Sequence, residues 1–195
     1  TADTLEARAG ETVIDVCAAP GGKSIHLAEI LCETGHVQAR DLTEYKVGLI
    51  QENIFRSGLR NIEAVQWDAT VLDEESKEKA DIVIADLPCS GLGVLGKKTD
   101  LKYKMTEKMQ DDLVMLQRQI LSNVKNYVKE EGTLIYSTCT IHKKENQDMS
   151  RFICENYPFV LEEEKQILPG FMDTKEEPWQ EPYIYVQHPS GIWMI

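Results

Sequence analysis

Apolar residues run along this chain in two rhythms. Compact, β-rich runs at Thr12–Cys17, His36–Asp41, Asn61–Trp67, Asp81–Asp86 and Thr133–Thr138 read as strands, and stretches of helical spacing separate them. Lys23–Glu33 and Glu44–Arg56 are the first two predicted helices. In the second, Val47, Ile50 and Ile54 share a face and Gly58 stands where a helix C-cap belongs. Leu113, Leu116, Ile120, Val124 and Tyr127 mark one face of a long helix that the pattern closes at Gly132. A further helix is predicted over about Lys143–Asn156. Tyr183–Gln187 and Ile192–Ile195, divided by His-Pro-Ser-Gly, suggest a closing antiparallel hairpin. Alternation of this kind predicts an α/β fold, a mostly parallel sheet with helices on both faces. Ligands of such sheets sit beyond the carboxyl ends of the strands, near the point where strand order reverses.

Composition narrows the class. The chain has 195 residues, with no internal repeat, low-complexity tract or linker, so one domain with a real core is expected. The 42% apolar and 28% charged fractions are those of an ordinary globular protein. No apolar run nears the roughly 20 residues of a membrane span, and no signal peptide is evident, so the expectation is a cytoplasmic protein with no membrane partner. Cys17, Cys32, Cys89, Cys139 and Cys154 are odd in number and contain no Cys-x-x-Cys pair, which suits thiols in a reducing compartment and argues against a metal site. The start at Thr1 and the apolar ending Trp193-Met194-Ile195 lead us to expect a piece of a longer protein.

The net charge of −12 counts against nucleic acid at first sight. One window differs: Gly96–Lys108 carries five lysines against Asp100 and Glu107, a net +3. On composition alone a solvated loop explains it better than a phosphate-binding patch. The acidic stretches Glu162–Glu164 and Glu176–Glu177 read as solvated surface.

The stretch VIDVCAAPGGKS, Val13–Ser24, runs a strand into a glycine turn and a helix start. A phosphate-cradling Gly-x-x-x-x-Gly-Lys-Ser loop needs glycine where Cys17 stands, and Gly-x-Gly-x-x-Gly fails because Gly21 and Gly22 are adjacent. The shared physics survives: a turn free of bulky side chains leads to a helix N-terminus that suits a carboxylate as well as a phosphate. Acids then end the following strands. Asp41 lies about 20 residues on, where nucleotide folds place a ribose-binding acid. Asp68 follows the third strand and Asp86 ends the fourth. A carboxylate seat, a ribose acid and a third acid for an adenine amino group describe S-adenosylmethionine. Such acids also tolerate its sulfonium and would repel pyrophosphate. Each aspartate alone is as readily a surface residue.

Two cysteines break from strands into polar loops at the ligand-binding edge: Cys89 in DLPCSGLGVL and Cys139 in LIYSTCTI. If their strands are neighbours, both thiols face the same place. Cys17, Cys32 and Cys154 read instead as small buried hydrophobes.

CAAPGGK, DLPCSG and STCT, in that order, resemble the RNA cytosine-5 methyltransferase family, most nearly its bacterial RsmB/Sun/Fmu-like ribosomal RNA branch. The resemblance runs from about Gly10 to Asn156 and includes GVLGKKTDLKY after DLPCSG. It implies a Rossmann-like class I methyltransferase fold. It also implies S-adenosylmethionine as cofactor, held by Cys17, Ala18, Ala19, Pro20, Gly21, Gly22 and Lys23, with Asp41 on the ribose and Asp68 towards the adenine. Asp86 would lie between cofactor and target base, Cys139 would be the nucleophile and Cys89 would assist product release. The partner implied is RNA, ribosomal RNA by the same resemblance, and the target base must leave its stack to be reached.

The chemistry explains the thiol. Cytosine carbon 5 is a poor nucleophile, and a thiolate added to carbon 6 makes it enamine-like. A thiol pKa below its ordinary value of roughly 8.5 would help, and Cys139 stands just before a predicted helix start at His142–Lys144. His142, Lys143 and Lys144 would add positive potential there, although lysines so placed are ordinarily just solvated. The resemblance raises the weight of Lys97, Lys98, Lys102 and Lys104 as phosphate contacts. It departs in two places: the N-terminal helical RNA-holding region of relatives has no match, and Ser190-Gly191 stands where they carry Asp-Gly. The expectation is a catalytic unit that binds cofactor but methylates RNA poorly alone. Rival readings are an amino-group methyltransferase, disfavoured because Pro88-Cys89-Ser90 lacks a proline–proline–aromatic grip; a non-enzymatic RNA or assembly scaffold, disfavoured by both strand-end cysteines; and an NTPase, disfavoured by Cys17.

Overall fold

The computed structural model describes residue 7, residues 9–92 and 105–162, and the backbone of 185–187. In chain order, the elements that build the sheet and its flanks are β1 (Thr12–Asp15), α1 (Gly22–Ile30), β2 (His36–Asp41), α2 (Glu44–Ser57), β3 (Ile62–Gln66), β4 (Ala80–Asp86), α3 (Glu107–Val124), β5 (Val128–Ser137), α4 (Gln147–Asn156), β6 (Val160–Glu162) and β7 (Tyr185–Gln187). The sheet order is β3-β2-β1-β4-β5-β7-β6. The first five strands of that order are parallel, and β7 runs antiparallel between β5 and β6. This is the expected Rossmann-like class I architecture. Strand order reverses between β1 and β4, so the crevice at their carboxyl ends is the natural binding place.

Successive side chains of a strand point to opposite faces, and the core divides accordingly. Ile14, Val83, Ala85, Leu134 and Tyr136 pack on one side with Ile120, Leu121 and Val124 of α3 and Met149 and Ile153 of α4. Val13, Val37, Ala39, Ile82, Ile84 and Ile135 pack on the other with Leu27, Ala28 and Leu31 and with Ile50 of α2. Each fully buried leucine or isoleucine contributes about 1.5–3 kcal/mol, so both faces are needed. Arg40 of β2 is held from within: it is 3% exposed, pairs with Asp73 at 2.9 Å and lies over the rings of Trp67 and Tyr127.

Several boundaries differ from expectation. Gly58 does cap α2, in the left-handed region and with its N–H on the Ile54 carbonyl. Gly132 ends no helix: α3 stops at Val124, a 3-10 turn takes Lys125–Tyr127, and Gly132 lies inside the longer strand β5. A side chain there would come within 3.0 Å of the Asp81 carbonyl on β4, so close strand approach accounts for the glycine. The face of α3 is also rotated, burying Val114, Gln117, Ile120, Leu121 and Val124 while Leu113 and Leu116 stay half-buried. Cys32 is exposed, just past α1 at φ 47°, which corrects its reading as a buried hydrophobe. Tyr185–Gln187 pairs with β5 and with Val160–Glu162. The expected partner strand Ile192–Ile195 and Ser190-Gly191 lie outside the described residues.

Candidate active site

The glycine turn follows β1 directly. Gly21 adopts φ 101°, a region that disfavours any side chain, and its N–H closes the turn on the Ala18 carbonyl at 2.6 Å. A Cβ there would also meet Ile50 Cγ2 at 3.3 Å. Gly21 is the N-cap of α1, and among the described residues no side chain caps that helix and no acid occupies its first turn. The α1 amides are thus turned towards the crevice without a side-chain partner.

Asp41 ends β2, 3% exposed, at the same rim. Its Oδ2 accepts the Ala19 N–H at 3.1 Å, and its Oδ1 accepts the Leu42 N–H at 2.8 Å and Lys46 Nζ at 2.9 Å. The acid and the turn are therefore mutually fixed. Trp67 N–H bonds the Asp41 carbonyl, which brings Asp68 next door; Asp68 is exposed and takes the Thr70 N–H and hydroxyl.

Asp86 ends β4 and joins the turn to the thiols. Its Oδ2 pairs with Lys23 at the start of α1, and its Oδ1 accepts the Ser137 hydroxyl at the end of β5 at 2.9 Å. Because β4 and β5 are neighbours with Asp86 opposite Ser137, Cys89 and Cys139 emerge together. Their sulfurs lie 3.0 Å apart, and the Cys139 N–H points at Cys89 Sγ at 3.2 Å. Cys139 is exposed; Cys89 is half-buried, and burial followed by its hydrogen bond with Cys139 pushes its thiol up to about 12. Cys17, at the turn, is likewise pushed up to about 12, first by burial and then by Asp41 and Asp15, which leaves it an unreactive thiol. Its sulfur-bearing side chain packs on the core, as does Cys154.

The helix start near Cys139 is later than expected. Lys143–Glu145 form a 3-10 turn and α4 begins at Gln147. Lys144 pairs instead with Asp111 of α3 at 2.7 Å. Lys97, Lys98, Lys102 and Lys104 fall outside the described residues.

Sequence reasoning missed several residues here. Asp15 is 1% exposed, directly beneath the turn; its Oδ2 accepts the Ser24 hydroxyl at 2.6 Å and its Oδ1 is buried without a hydrogen-bond partner among the described residues. Burial, the largest cause, and the nearby Asp86 raise its carboxyl to about 6. Reading Thr12–Cys17 as one strand hid it. Ser90, Gln117, Thr140 and Glu145 form a buried polar cluster behind the thiols. Among the described residues there is no cluster of metal-ligating groups, and no helix is long and apolar enough to cross a membrane.

Known proteins resemble this chain. Residues 2–170 match the family described as 16S rRNA methyltransferase RsmB/F. A probable ribosomal RNA small subunit methyltransferase B from Bacillus subtilis is 38% identical over 194 residues, taking in 89% of this chain and 43% of the relative. Ribosomal RNA small subunit methyltransferase F from Cronobacter sakazakii is 31% identical, over 77% of this chain and 31% of its own length. The structure of NSun6 from Pyrococcus horikoshii with SFG superposes at TM-score 0.77 with 32% identity, covering 86% of this chain and 42% of that one. The chain thus spans less than half the length of each of these. Since the family match takes in most of its residues, the chain belongs to the RsmB/F family of 16S rRNA methyltransferases.

Proposed function

We propose that this chain is the catalytic unit of an S-adenosylmethionine-dependent enzyme that methylates carbon 5 of a cytosine in small-subunit ribosomal RNA through a covalent cysteine–cytosine intermediate. The observation that carries this reading is the apposition of two thiols, 3.0 Å apart at the ends of adjacent strands, on the rim that also holds the glycine turn. An amino-group methyltransferase has no use for such a pair.

The residues present fit the cofactor. The uncapped start of α1 suits its carboxylate, the orphaned Asp15 Oδ1 and Asp86 suit its ammonium and sulfonium charges, and buried Asp41 suits a ribose diol. Cys17 to Lys23, Asp41, Asp68 and Asp86 would hold it, and when bound it supplies an electrophilic methyl group.

The protein's own part begins at Cys139, the exposed thiol. Its thiolate adds to carbon 6 of the cytosine, forming a C–S bond and giving carbon 5 the electron density it needs to take the methyl group. A base then removes the carbon 5 proton, the ring double bond re-forms and the C–S bond breaks. Cys89, whose burial keeps its thiol protonated, would assist that expulsion from beside the leaving sulfur. The overall −12 charge suits a unit that receives most of its RNA contacts from elsewhere, and a ribosomal substrate implies the cytoplasm.

The test is product analysis. Incubation with 16S rRNA and methyl-labelled cofactor, then nuclease digestion and mass spectrometry, is expected to yield 5-methylcytidine, absent with Cys139→Ala. Label on an exocyclic amino group, or 5-methylcytidine formed undiminished by that variant, overturns the reading.

A further inference from the structure

A polar cluster lies behind the two thiols. Glu145, at the end of the 3-10 turn before α4, is fully buried. Its Oε2 accepts the Ser90 N–H at 2.9 Å and Gln117 Nε2 at 3.0 Å, and its Oε1 accepts the Ser90 hydroxyl at 2.5 Å. The Ser90 oxygen in turn meets the Thr140 hydroxyl at 2.7 Å. Ser90 follows Cys89 and Thr140 follows Cys139, so one carboxylate links both cysteine loops. Gln117 extends the link to the Pro88 carbonyl at 2.9 Å, on the other side of Cys89.

Asn146 does the same for Cys139 alone. Its Oδ1 accepts the Thr138 hydroxyl at 2.6 Å and its Nδ2 donates to the Thr140 carbonyl at 2.8 Å, bracing the residues before and after the cysteine. Asn146 is also the N-cap of α4, where an asparagine side chain ordinarily bonds the first-turn amides. Here it makes no such bond, and its amide is turned to the Cys139 segment instead. Helix stability is forgone locally while the loop is held, a conflict of levels that marks functional placement.

We propose that Glu145 and Asn146 are positioning residues that hold the Cys89 and Cys139 thiols in register, Glu145 by tying the two loops together and Asn146 by fixing the backbone on both sides of Cys139. The proposal rests on the two-thiol chemistry above and deepens it.

The experiment reads thiol geometry without RNA or cofactor. The whole chain, carrying Cys32→Ser to remove an exposed thiol, is equilibrated in glutathione redox buffers. Two protein thiols and one glutathione disulfide give one Cys89–Cys139 disulfide and two glutathiones, counted by alkylation and peptide mass spectrometry. Glu145→Ala is expected to lower the effective concentration of one thiol towards the other at least tenfold. Glu145→Gln keeps the shape and can donate to the Ser90 oxygen, so it is expected to stay within threefold of the parent. Asn146→Asp keeps an acceptor for Thr138 but sets an oxygen against the Thr140 carbonyl, and a fall of at least fivefold is expected. Cofactor affinity should move less than twofold in Glu145→Gln and Asn146→Asp. If Glu145→Ala proves unfolded by circular dichroism, Asn146→Asp at its half-buried site carries the test. A folded Glu145→Ala or Asn146→Asp variant whose thiols pair within twofold of the parent overturns the proposal. Adducts with 5-fluorocytidine RNA, run in parallel on the parent protein, report separately on the cytosine chemistry.

Discussion

Replacing Asp15 by asparagine should change how stability depends on pH. The carboxyl is 1% exposed, and burial is the main reason its pKa rises from 3.8 to about 6; Asp86 adds to the rise, while the Ser24 hydroxyl and Lys23 oppose it. Below pH 3.8 the group is protonated in both folded and unfolded chains and makes no difference. Between pH 3.8 and about 6 the unfolded chain releases a proton that the folded chain keeps, so stability falls as pH rises. Above about 6 both forms are ionised and the deficit is constant. A rise of about two units corresponds to about 3 kcal/mol. Asparagine carries no titrating group and removes this slope. Its altered bond to Ser24 shifts stability by an amount independent of pH, so the informative quantity is the variant-minus-parent difference. Urea unfolding of cofactor-free protein at pH 4 and pH 7.5 is the assay. The difference should move by about 2–3 kcal/mol in favour of Asp15→Asn on going to pH 7.5. A difference constant within about 0.5 kcal/mol across that range would refute the reasoning, because Asp15 would then carry no buried-charge penalty.

Further outcomes follow from the same geometry. Asp41→Asn removes the charge that a ribose diol would bond, costing about 1.5–3 kcal/mol, and calorimetry should show cofactor affinity reduced roughly 10- to 150-fold; a loss under threefold would exclude Asp41 from the cofactor site. Gly21→Ala forces a side chain into φ 101° against Ile50, and should lower stability by about 1–3 kcal/mol and the thermal midpoint by roughly 3–10 °C in a scan. An unchanged midpoint would mean that the turn tolerates a side chain. Cys89→Ala should leave attack on the base intact but slow release, so that covalent RNA–protein complex accumulates on denaturing gels with ordinary cytosine; its absence would remove Cys89 from the release step.

The alternation of strands and helices was legible because the central strands β1, β4 and β5 are apolar on both faces, while α2 and α3 each bury one stripe. The motif residues were legible because a glycine turn and strand-end thiols are local features, readable within a few residues. What escaped was non-local. Gly132 looked like a helix stop, since nothing local reveals that the Asp81 carbonyl of another strand crowds it. Gln117 interrupts an apolar face and reads as solvent-facing until Pro88, Tyr136 and Glu145 are folded around it. Glu145 belongs to a charged run, Lys143-Lys144-Glu145, whose neighbours are exposed while it alone is buried. Asp15 was hidden by its position inside an apolar run. Buried polar residues escape a pattern method because their partners come from distant parts of the chain.

The central claim is that Cys139 forms the bond to cytosine. RNA containing 5-fluorocytidine blocks the proton loss that precedes release and traps that bond. Incubation of the protein with such 16S rRNA and S-adenosylmethionine, followed by nuclease and protease digestion, lets mass spectrometry locate the nucleotide on a single peptide. The methylated fluorocytidine is expected on Cys139, and on no peptide in Cys139→Ala; its attachment to Cys89 in the parent protein, or a trapped complex undiminished by Cys139→Ala, would contradict the account.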